Sequence, residues 1–372
     1  MTTADRLLEG RQIVQVLATS TGGVGTHVRA IVPGLHAAGA SVRVCGPSAT
    51  DKLFGFHRVG ADFHPVPIAP GLRPAQDARA LLALRRGLRG AALVHAHGLR
   101  AGLLSELARP GVPVVVTLHN ALLEPAGTRQ QINRLLERLV VRGADVVLAA
   151  SLDLAEHARE VGGRDVRWAP VSAPPLPDAT RSRAELRAEL GLTDGAPLLL
   201  AVGRLHPQKG YETLLAAASR WRGQADGLRV VIAGDGPLRE QMAERIERES
   251  LPVELLGRRD DIADLLLASD LVVLTSRWEA RALVVQEALR AGRPLVATAV
   301  GGIPELVGHR AGVLIPPNDP AALDEAVTGV LADPARGASL VEAGLAAAGS
   351  WPSADDTVAQ LSALYAELLG SS

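Results

Sequence analysis

Three short stretches of the sequence bring together residue types that could hold a charged, hydroxyl-rich ligand. In LATSTGGVGTHVRAIV, Gly22, Gly23 and Gly25 lie between an apolar run and a helical pattern. Glycines there let the backbone turn and approach a ligand closely, and the helix that follows aims free N–H groups and the positive end of its dipole at an anion. In LLLAVGRLHPQKGYETLLAAA, Arg204 and Lys209 occupy a loop leaving a strand, ahead of a helix beginning near Tyr211. Two cations and a helix N-terminus suit a diphosphate, since a carboxylate rarely needs so much positive charge. Of 39 basic residues only Lys52 and Lys209 are lysines. In a chain so biased toward arginine, a lysine in that loop points to a need for a compact ammonium.

The third stretch, LTSRWEARALVVQEALRAGRPLVATAVGGIPELV, carries Glu279 ahead of a helix and Glu287 on it. Their spacing would put them about 12 Å apart along a helix axis if both were helical, too far to share a proton. It also exceeds the roughly 5–10 Å of paired glycosidase carboxylates, unless Glu279 lies in the loop and bends back. Two acceptors at either end of an elongated polyhydroxy ligand, one for a ribose and one for a sugar, fit better. His119 ends VPVVVTLHN, where open α/β sheets place ligand contacts. His95 and His97 share a strand face, but they lack a third ligand at useful spacing and no Asp-x-Asp clamp accompanies them, so a metal site is not expected. The glycine loop is not a dinucleotide fingerprint: the third glycine would fall at Val28, and the next strand, SVRVCGPS, does not end in an acidic residue.

The elements that must position these residues alternate. Short apolar runs (QIVQVLA, SVRVCG, ALVHAHG, VPVVVTLH, ADVVLAA, DVRWAP, then LLLAVG, LRVVIAGDG, VELLG, LVVLTS, PLVATAV, AGVLIP) are interleaved with loops and helical patterns such as Thr26 to Ala38, LRAGLLSELAR and TRQQINRLLERLVVRG. That grammar predicts repeated βα units around parallel sheets. The 372 residues exceed the length at which one core stops growing, so two domains are expected. APVSAPPLPD, with Pro170, Pro174, Pro175 and Pro177, suits the linker and sets the boundary: 1–170 and 171–372. Hydrophobic residues at 47% and charged residues at 21% exclude disorder, and a net charge of -1 argues against a nucleic-acid partner. Cys45, the lone cysteine, can form no internal disulfide, and the N-terminal residues carry no apolar signal core; a cytoplasmic protein is expected. Charge is uneven: residues 1–170 hold 20 basic and 13 acidic residues, a balance of +7, against 19 and 27, a balance of -8, for 171–372. In TRQQINRLLERLVVRG, Arg134, Arg138 and Arg142 recur along one helix face, with Leu135, Leu136, Leu139 and Val140 available to pack inward. With the second Arg-rich segment, RPAQDARALLALRRGLRG, this makes a peripheral contact with the inner face of an anionic membrane a further expectation.

Taken together these residues make the chain resemble the retaining glycosyltransferases of family 4. The resemblance spans nearly the whole length: GGVGTH, HAHG, TLHN, VGRLHPQKG, AGDGPLRE, LLGRRDDI, ASDLVVLTS, the Glu-x7-Glu pair with AxxAGRPLVAT, and GGIPELV occur in family order. It implies the GT-B fold, two Rossmann-like domains with parallel sheets facing across a cleft, the first on the acceptor side and the second binding the nucleotide sugar, with the last helix able to pack back on the first. It implies that Gly22, Gly23 and Gly25 offer backbone N–H groups to the donor diphosphate, and that Gly203, Arg204 and Lys209 hold it from the second domain. Glu287 would take the ribose, Glu279 the transferred sugar, and His119 the same sugar from the first domain. Leu283 and Val284 would line the donor site, and Gly257 and Arg258 would border the base. The implied catalytic set is His119, Arg204, Lys209 and Glu279, with no metal and no cofactor, a UDP- or GDP-sugar as donor, and a sugar, lipid-linked or small-molecule acceptor. Ala280, Arg281 and Ala282 replace the glycine, bulky apolar and small residues usual after Glu279, and Ala-Pro-Val-Ser replaces a Pro-Asn-Gly linker. The first departure makes a GT-B relative that binds the sugar nucleotide without transfer the alternative reading. A nonhydrolysing epimerase is not expected to carry the Glu-x7-Glu pair, and the missing glycine and acidic residue disfavour an NAD oxidoreductase.

Overall fold

Apolar runs separated by Ala- and Leu-rich helices fold into two parallel sheets, seen in a computed structural model that describes residues 7–20, 22–108, 111–121, 127–192, 195–223 and 227–370. Thr21 in the glycine loop, Arg109 at the end of an expected helix, and the N-terminal residues 1–6 lie outside the described residues. The chain divides into two units, one running through Pro174 and resuming at Pro352, the other spanning Pro175–Trp351.

In the first unit β1 (Gln12–Leu17), β2 (Ser41–Gly46), β3 (Asp62–Pro65), β4 (Leu93–His97), β5 (Val114–Leu118), β6 (Val146–Ala149) and β7 (Val166–Trp168) pair in the order β3-β2-β1-β4-β5-β6-β7. The second unit holds β8 (Leu198–Val202), β9 (Arg229–Ala233), β10 (Val253–Gly257), β11 (Leu271–Leu274), β12 (Leu295–Thr298) and β13 (Val313–Ile315), ordered β10-β9-β8-β11-β12-β13. Every pairing is parallel. The chain direction across each sheet reverses at its first strand, between β1 and β4 and between β8 and β11. Doubly wound sheets open a ligand crevice at the carboxyl ends of such a pair. β4 and β5 are buried at every position, as strands covered on both faces must be.

Two features depart from expectation. β3 was not anticipated because DFHP carries a histidine and a proline in only four residues, and it is tolerated at the sheet edge, where a missing N–H costs no ladder bond. The last helix, α15 (Ala354–Gly370), lies with the first unit, as the resemblance allowed, but the division between units falls after Pro174 and not after Pro170. Leu361, Leu364 and Tyr365 are buried with Ile13, Val32 and Leu35. The side chain of Val358 lies against α1 (Gly23–Ala37) at Gly34, where a Cβ would come within 2.6 Å of it. Burying each such apolar side chain is worth about 1.5–3 kcal/mol, enough to hold a chain end that has crossed back. No helix among the described residues is long and apolar enough to cross a membrane.

Candidate active site

In the second unit, three loops leaving the carboxyl edge of the sheet converge. After β8 the chain passes Gly203 and Arg204 into a single 3-10 turn, Pro207–Lys209, and then into α8 (Tyr211–Ala218). Gly210 joins these with φ 61°, and a Cβ there would lie 2.1 Å from the Thr275 carbonyl oxygen, so only glycine lets this loop lie against the end of β11. The two loops are then stitched together: Thr275 Oγ1 donates to the Lys209 carbonyl at 3.1 Å, and Gln208 Nε2 donates to the Trp278 carbonyl at 3.0 Å. The third loop follows β12, where Gly301 has φ 51° and a Cβ would sit 1.9 Å from the Glu279 carbonyl oxygen, which accepts from the Gly302 N–H at 2.9 Å.

These contacts bring Lys209 Nζ to 2.6 Å from Glu279 Oε1, which also accepts from Ser276 Oγ at 2.6 Å. Two residues placed by sequence at different parts of a ligand thus touch each other, and Glu279, 8% exposed, is held from both sides. Gly203 keeps the lysine stem close, since a Cβ there would be 3.0 Å from Lys209 Cε, and its carbonyl accepts from Tyr211 Oη at 3.0 Å. Glu279 lies in the loop, not on the helix. α11 (Leu283–Arg290) opens with Leu283 and Val284 and carries Glu287, whose carboxyl burial pushes up to about 7 against the pull of Arg290. Register aligns Val202 with Ala233 and Ala233 with Gly257, so Gly257 ends on the same edge as Gly203, two strands away. Arg204 and Arg258 are exposed, the latter 3.6 Å from Asp260.

The Ala280 to Ala282 segment is buried throughout. Arg281 is only 9% exposed, and its Nε has no hydrogen-bond partner among the described residues. Burial lowers its guanidinium to about 10, opposed by the charge of Glu305 on α12 (Ile303–Val307).

In the first unit α1 starts at Gly23, three residues before the expected Thr26, so the glycines form its first turn. At Gly22 a Cβ would meet nothing within 4 Å, leaving open space over the helix N-terminus. Gly25 serves packing instead: a Cβ would lie 2.2 Å from the Phe54 ring at the end of α2 (Ser48–Phe54). Its N–H donates to Ser20 Oγ at 3.2 Å and to the Gly22 carbonyl at 3.1 Å, which turns that group inward, contrary to the expectation that it faces an anion. His119, just past β5, has Nε2 3.0 Å from His97 Nδ1, and His27 on α1 sets its ring edge-on to both, at 5.7 and 5.8 Å. Burial holds His27 at about 4 and His95 at about 3, and pulls His97 and His119 well below the ordinary imidazole value. The cluster therefore offers neutral hydrogen-bonding rings near pH 7. Both nitrogens of His95 and of His97 face protein partners.

Sequence reasoning missed Gln15, the partner of His97, and Tyr365, the partner of His95. A faint signal for the first existed: Gln15 is the polar residue inside the run IVQVL.

One expectation is corrected. On α5 (Thr128–Gly143), Leu135 and Leu139 point out to solvent at 57% and 55% exposure. Val140 packs inward as expected, and its buried companions are Glu137 and Val141. Glu137 is drawn inward by His157 Nε2 at 3.0 Å, which fixes the helix in a phase that pattern reading cannot foresee.

Comparison with known proteins places this geometry. Residues 22–174 match the model of the glycosyl transferase 4-like domain, and residues 182–346 match that of glycosyl transferases group 1. The chain is 31% identical over 302 residues to the D-inositol 3-phosphate glycosyltransferase of Xylanimonas cellulosilytica, covering 74% of this chain and 72% of that protein. It is 31% identical over 367 residues to the alpha-maltose-1-phosphate synthase of Mycolicibacterium smegmatis, covering 85% and 87%. The fold matches that of Anabaena Alr3699/HepE, solved in complex with UDP and glucose, with a TM-score of 0.79 at 22% identity over 95% of this chain and 98% of that one. With both halves matched in order and two relatives above 30% identity across most of the chain, this protein belongs to the group 1, GT4-type glycosyltransferases of GT-B fold, enzymes that move a sugar from a nucleotide sugar.

Proposed function

We propose that the enzyme transfers a hexose-type sugar from a UDP- or GDP-sugar to an acceptor hydroxyl with retention at the anomeric carbon and without a metal ion or cofactor. The observation that carries this reading is the 2.6 Å pair of Lys209 and Glu279, a cation and a hydroxyl acceptor within reach of one ligand at the carboxyl edge of β8 and β11. In this reading Lys209 and Arg204 take the diphosphate together with the N–H groups of Gly22 and Gly23. Glu279 and His119 take the hydroxyls of the transferred sugar, Leu283 and Val284 line it, Glu287 takes the ribose, and the backbone at Gly257 and Arg258 borders the base. The bond from the anomeric carbon to the phosphate oxygen breaks, the acceptor oxygen bonds to that carbon on the same face, and the acceptor proton goes to a departing phosphate oxygen. No strong base is then demanded, and the cations stabilise the charge that develops on the diphosphate.

Calorimetry with UDP, GDP and ADP, followed by transfer assays with the matching sugar nucleotides, tests this. One diphosphate should stabilise the fold by about 2.7 kcal/mol at a hundred times its dissociation constant. Activity should survive EDTA, and the product should keep the donor's anomeric configuration by proton NMR. Loss of activity in EDTA would overturn metal independence, an inverted product would overturn retention, and tight nucleotide binding with no transfer to any acceptor would favour the binding-only relative.

For the acceptor side, the exposed stripe on α5 favours an anionic membrane surface. Ile132, Leu135 and Leu139 are exposed beside the exposed Arg134, Arg138 and Arg142, so apolar side chains and cations share one outward face. That is the pattern of a helix lying at a lipid interface, where each well-placed basic residue contributes about 1 kcal/mol toward anionic headgroups. Three arginines then give on the order of a hundredfold preference for anionic vesicles. Co-sedimentation at low salt should show that preference, and it should collapse in an Arg134→Glu, Arg138→Glu, Leu135→Asn, Leu139→Asn variant. Equal binding to neutral and anionic vesicles would leave a soluble acceptor.

A further inference from the structure

Behind His119 the first unit holds a buried chain of hydrogen bonds that runs to the final helix. Gln15, fully buried in the middle of β1, has Oε1 2.7 Å from His97 Nε2 and Nε2 3.2 Å from the Tyr365 hydroxyl. That hydroxyl is 2.6 Å from His95 Nδ1, and His95 Nε2 is 2.6 Å from Thr117 Oγ1. His97 Nδ1 meets His119 Nε2 at 3.0 Å.

The proton positions along this chain are not independent. With the Gln15 amide oriented as the structure places it, its oxygen faces His97 and only accepts, so His97 Nε2 carries the proton between them. His97 is neutral, as burial dictates, so its Nδ1 is bare and can only accept from His119 Nε2. His119 thus carries its proton on Nε2, and its Nδ1 is an acceptor. On the other side the amide N–H donates to one lone pair of the Tyr365 oxygen, and the other described partner of that hydroxyl is His95 Nδ1, so its single proton turns there and His95 Nε2–H donates to Thr117. Burial keeps the phenol protonated, so this donor is permanent. Turning the Gln15 amide end for end would reverse every link and move the His119 proton to Nδ1. Removing the hydroxyl would leave that amide with one anchored end and uncouple His119 from the rest of the chain.

We propose that Gln15 and Tyr365 are positioning residues for the transfer reaction: through His97 they fix His119 as the tautomer with a bare Nδ1, an acceptor for a hydroxyl of the transferred sugar. This rests on the reading of His119 as a contact to that sugar. It also gives the return of α15 to the first unit a role in activity, since Tyr365 is the residue through which that helix reaches the chain. Sugar-contact tuning acts on the transferred group, so its loss should appear in kcat and not in the affinity of the free nucleotide.

Protein labelled with 15N-histidine reports the tautomer directly, because bare and protonated ring nitrogens are well separated in long-range proton–nitrogen spectra. His119→Asn assigns the signals. The wild type should show His119 protonated at Nε2. Tyr365→Phe, which keeps the ring and its packing, should shift both His119 nitrogens toward averaged values and lower kcat about tenfold, while the dissociation constant of the free nucleoside diphosphate stays within about twofold. Gln15→Met should do the same through the other link, and it provides the test if Tyr365→Phe does not fold. Wild-type nitrogen shifts in a folded variant, or shifted nitrogens with wild-type kcat, overturn the proposal. The underlying reading fails separately: His119→Ala with wild-type kcat would remove His119 from the sugar whatever its tautomer.

Discussion

Lys209→Ala is expected to weaken binding of the nucleoside diphosphate ten- to a hundredfold and to lower turnover by on the order of a hundred- to a thousandfold, with the fold intact. The first figure follows from one charge-assisted contact, about 1.5–3 kcal/mol. The second is larger because the diphosphate gathers charge as the sugar leaves, and a preorganised cation is worth most at that moment. The structure adds a second loss. Lys209 Nζ is 2.6 Å from Glu279 Oε1, so its removal leaves Glu279 with the Ser276 hydroxyl as its remaining described partner and frees it to leave the position proposed to hold the sugar. The stability cost should be small, about 1 kcal/mol, because the lysine side chain keeps 20% of its exposure and solvent screens the pair. Lys209→Arg should recover only part of the activity: the stem runs 3.0 Å from where a Cβ of Gly203 would be, and a planar guanidinium does not fit where a compact ammonium reaches Glu279 Oε1. Calorimetry with the free diphosphate, single-turnover rates and thermal melts separate these effects. An unchanged dissociation constant in a folded Lys209→Ala enzyme would remove the lysine from the diphosphate.

That Lys209 could be singled out at all reflects what a sequence displays. A lysine in an arginine-biased chain, between a strand and a helix start, is a local signal, and so are the glycines of the first βα turn and the carboxylates around α11. The sheets were legible for the same reason, since every strand but β3 is a short apolar run bounded by a turn or a helix. The pairing of Lys209 with Glu279, 70 positions apart, was not legible, because it follows from β8 and β11 being neighbours and from Gly210 and Gly301 permitting loops to touch. Gln15 and Tyr365, 350 positions apart, are a more extreme case: the family resemblance allows the last helix to return to the first domain, but nothing in either neighbourhood says that Tyr365 would meet Gln15. Gly25 misled because a glycine needed for packing against Phe54 looks, in sequence, like one needed for a ligand. Leu135 and Leu139 misled because helix phase was read from apolar residues alone, whereas a buried Glu137 paired with His157 sets it.

The two carboxylates should divide the donor between them, and pH should expose the division. Glu287→Gln is expected to weaken the free nucleotide about ten- to a hundredfold, since an amide would replace the carboxylate proposed to accept from ribose hydroxyls. Glu279→Gln should leave free-nucleotide affinity near the wild-type value and instead depress transfer from the intact sugar nucleotide, because the sugar it would hold is absent from the free nucleotide. Burial raises the Glu287 carboxyl from 4.5 to about 7, so in the free enzyme it is half protonated near neutrality. Hydroxyl donors favour its charged form, so nucleotide binding lowers that value and releases a proton. Affinity should therefore rise with pH, by up to about tenfold per unit, and level off above about 7. The free protein should respond the opposite way. A carboxyl raised on folding binds its proton more tightly in the native state, so Glu287 stabilises the fold less and less as pH climbs from 4.5 through about 7. Calorimetric titrations across that range, repeated in buffers of different ionisation enthalpy, read both the slope and the proton count, and Glu287→Gln should flatten the slope while Glu279→Gln preserves it. Equal nucleotide affinity in the two variants, or a wild-type affinity that does not change with pH, would show that Glu287 does not hold the ribose.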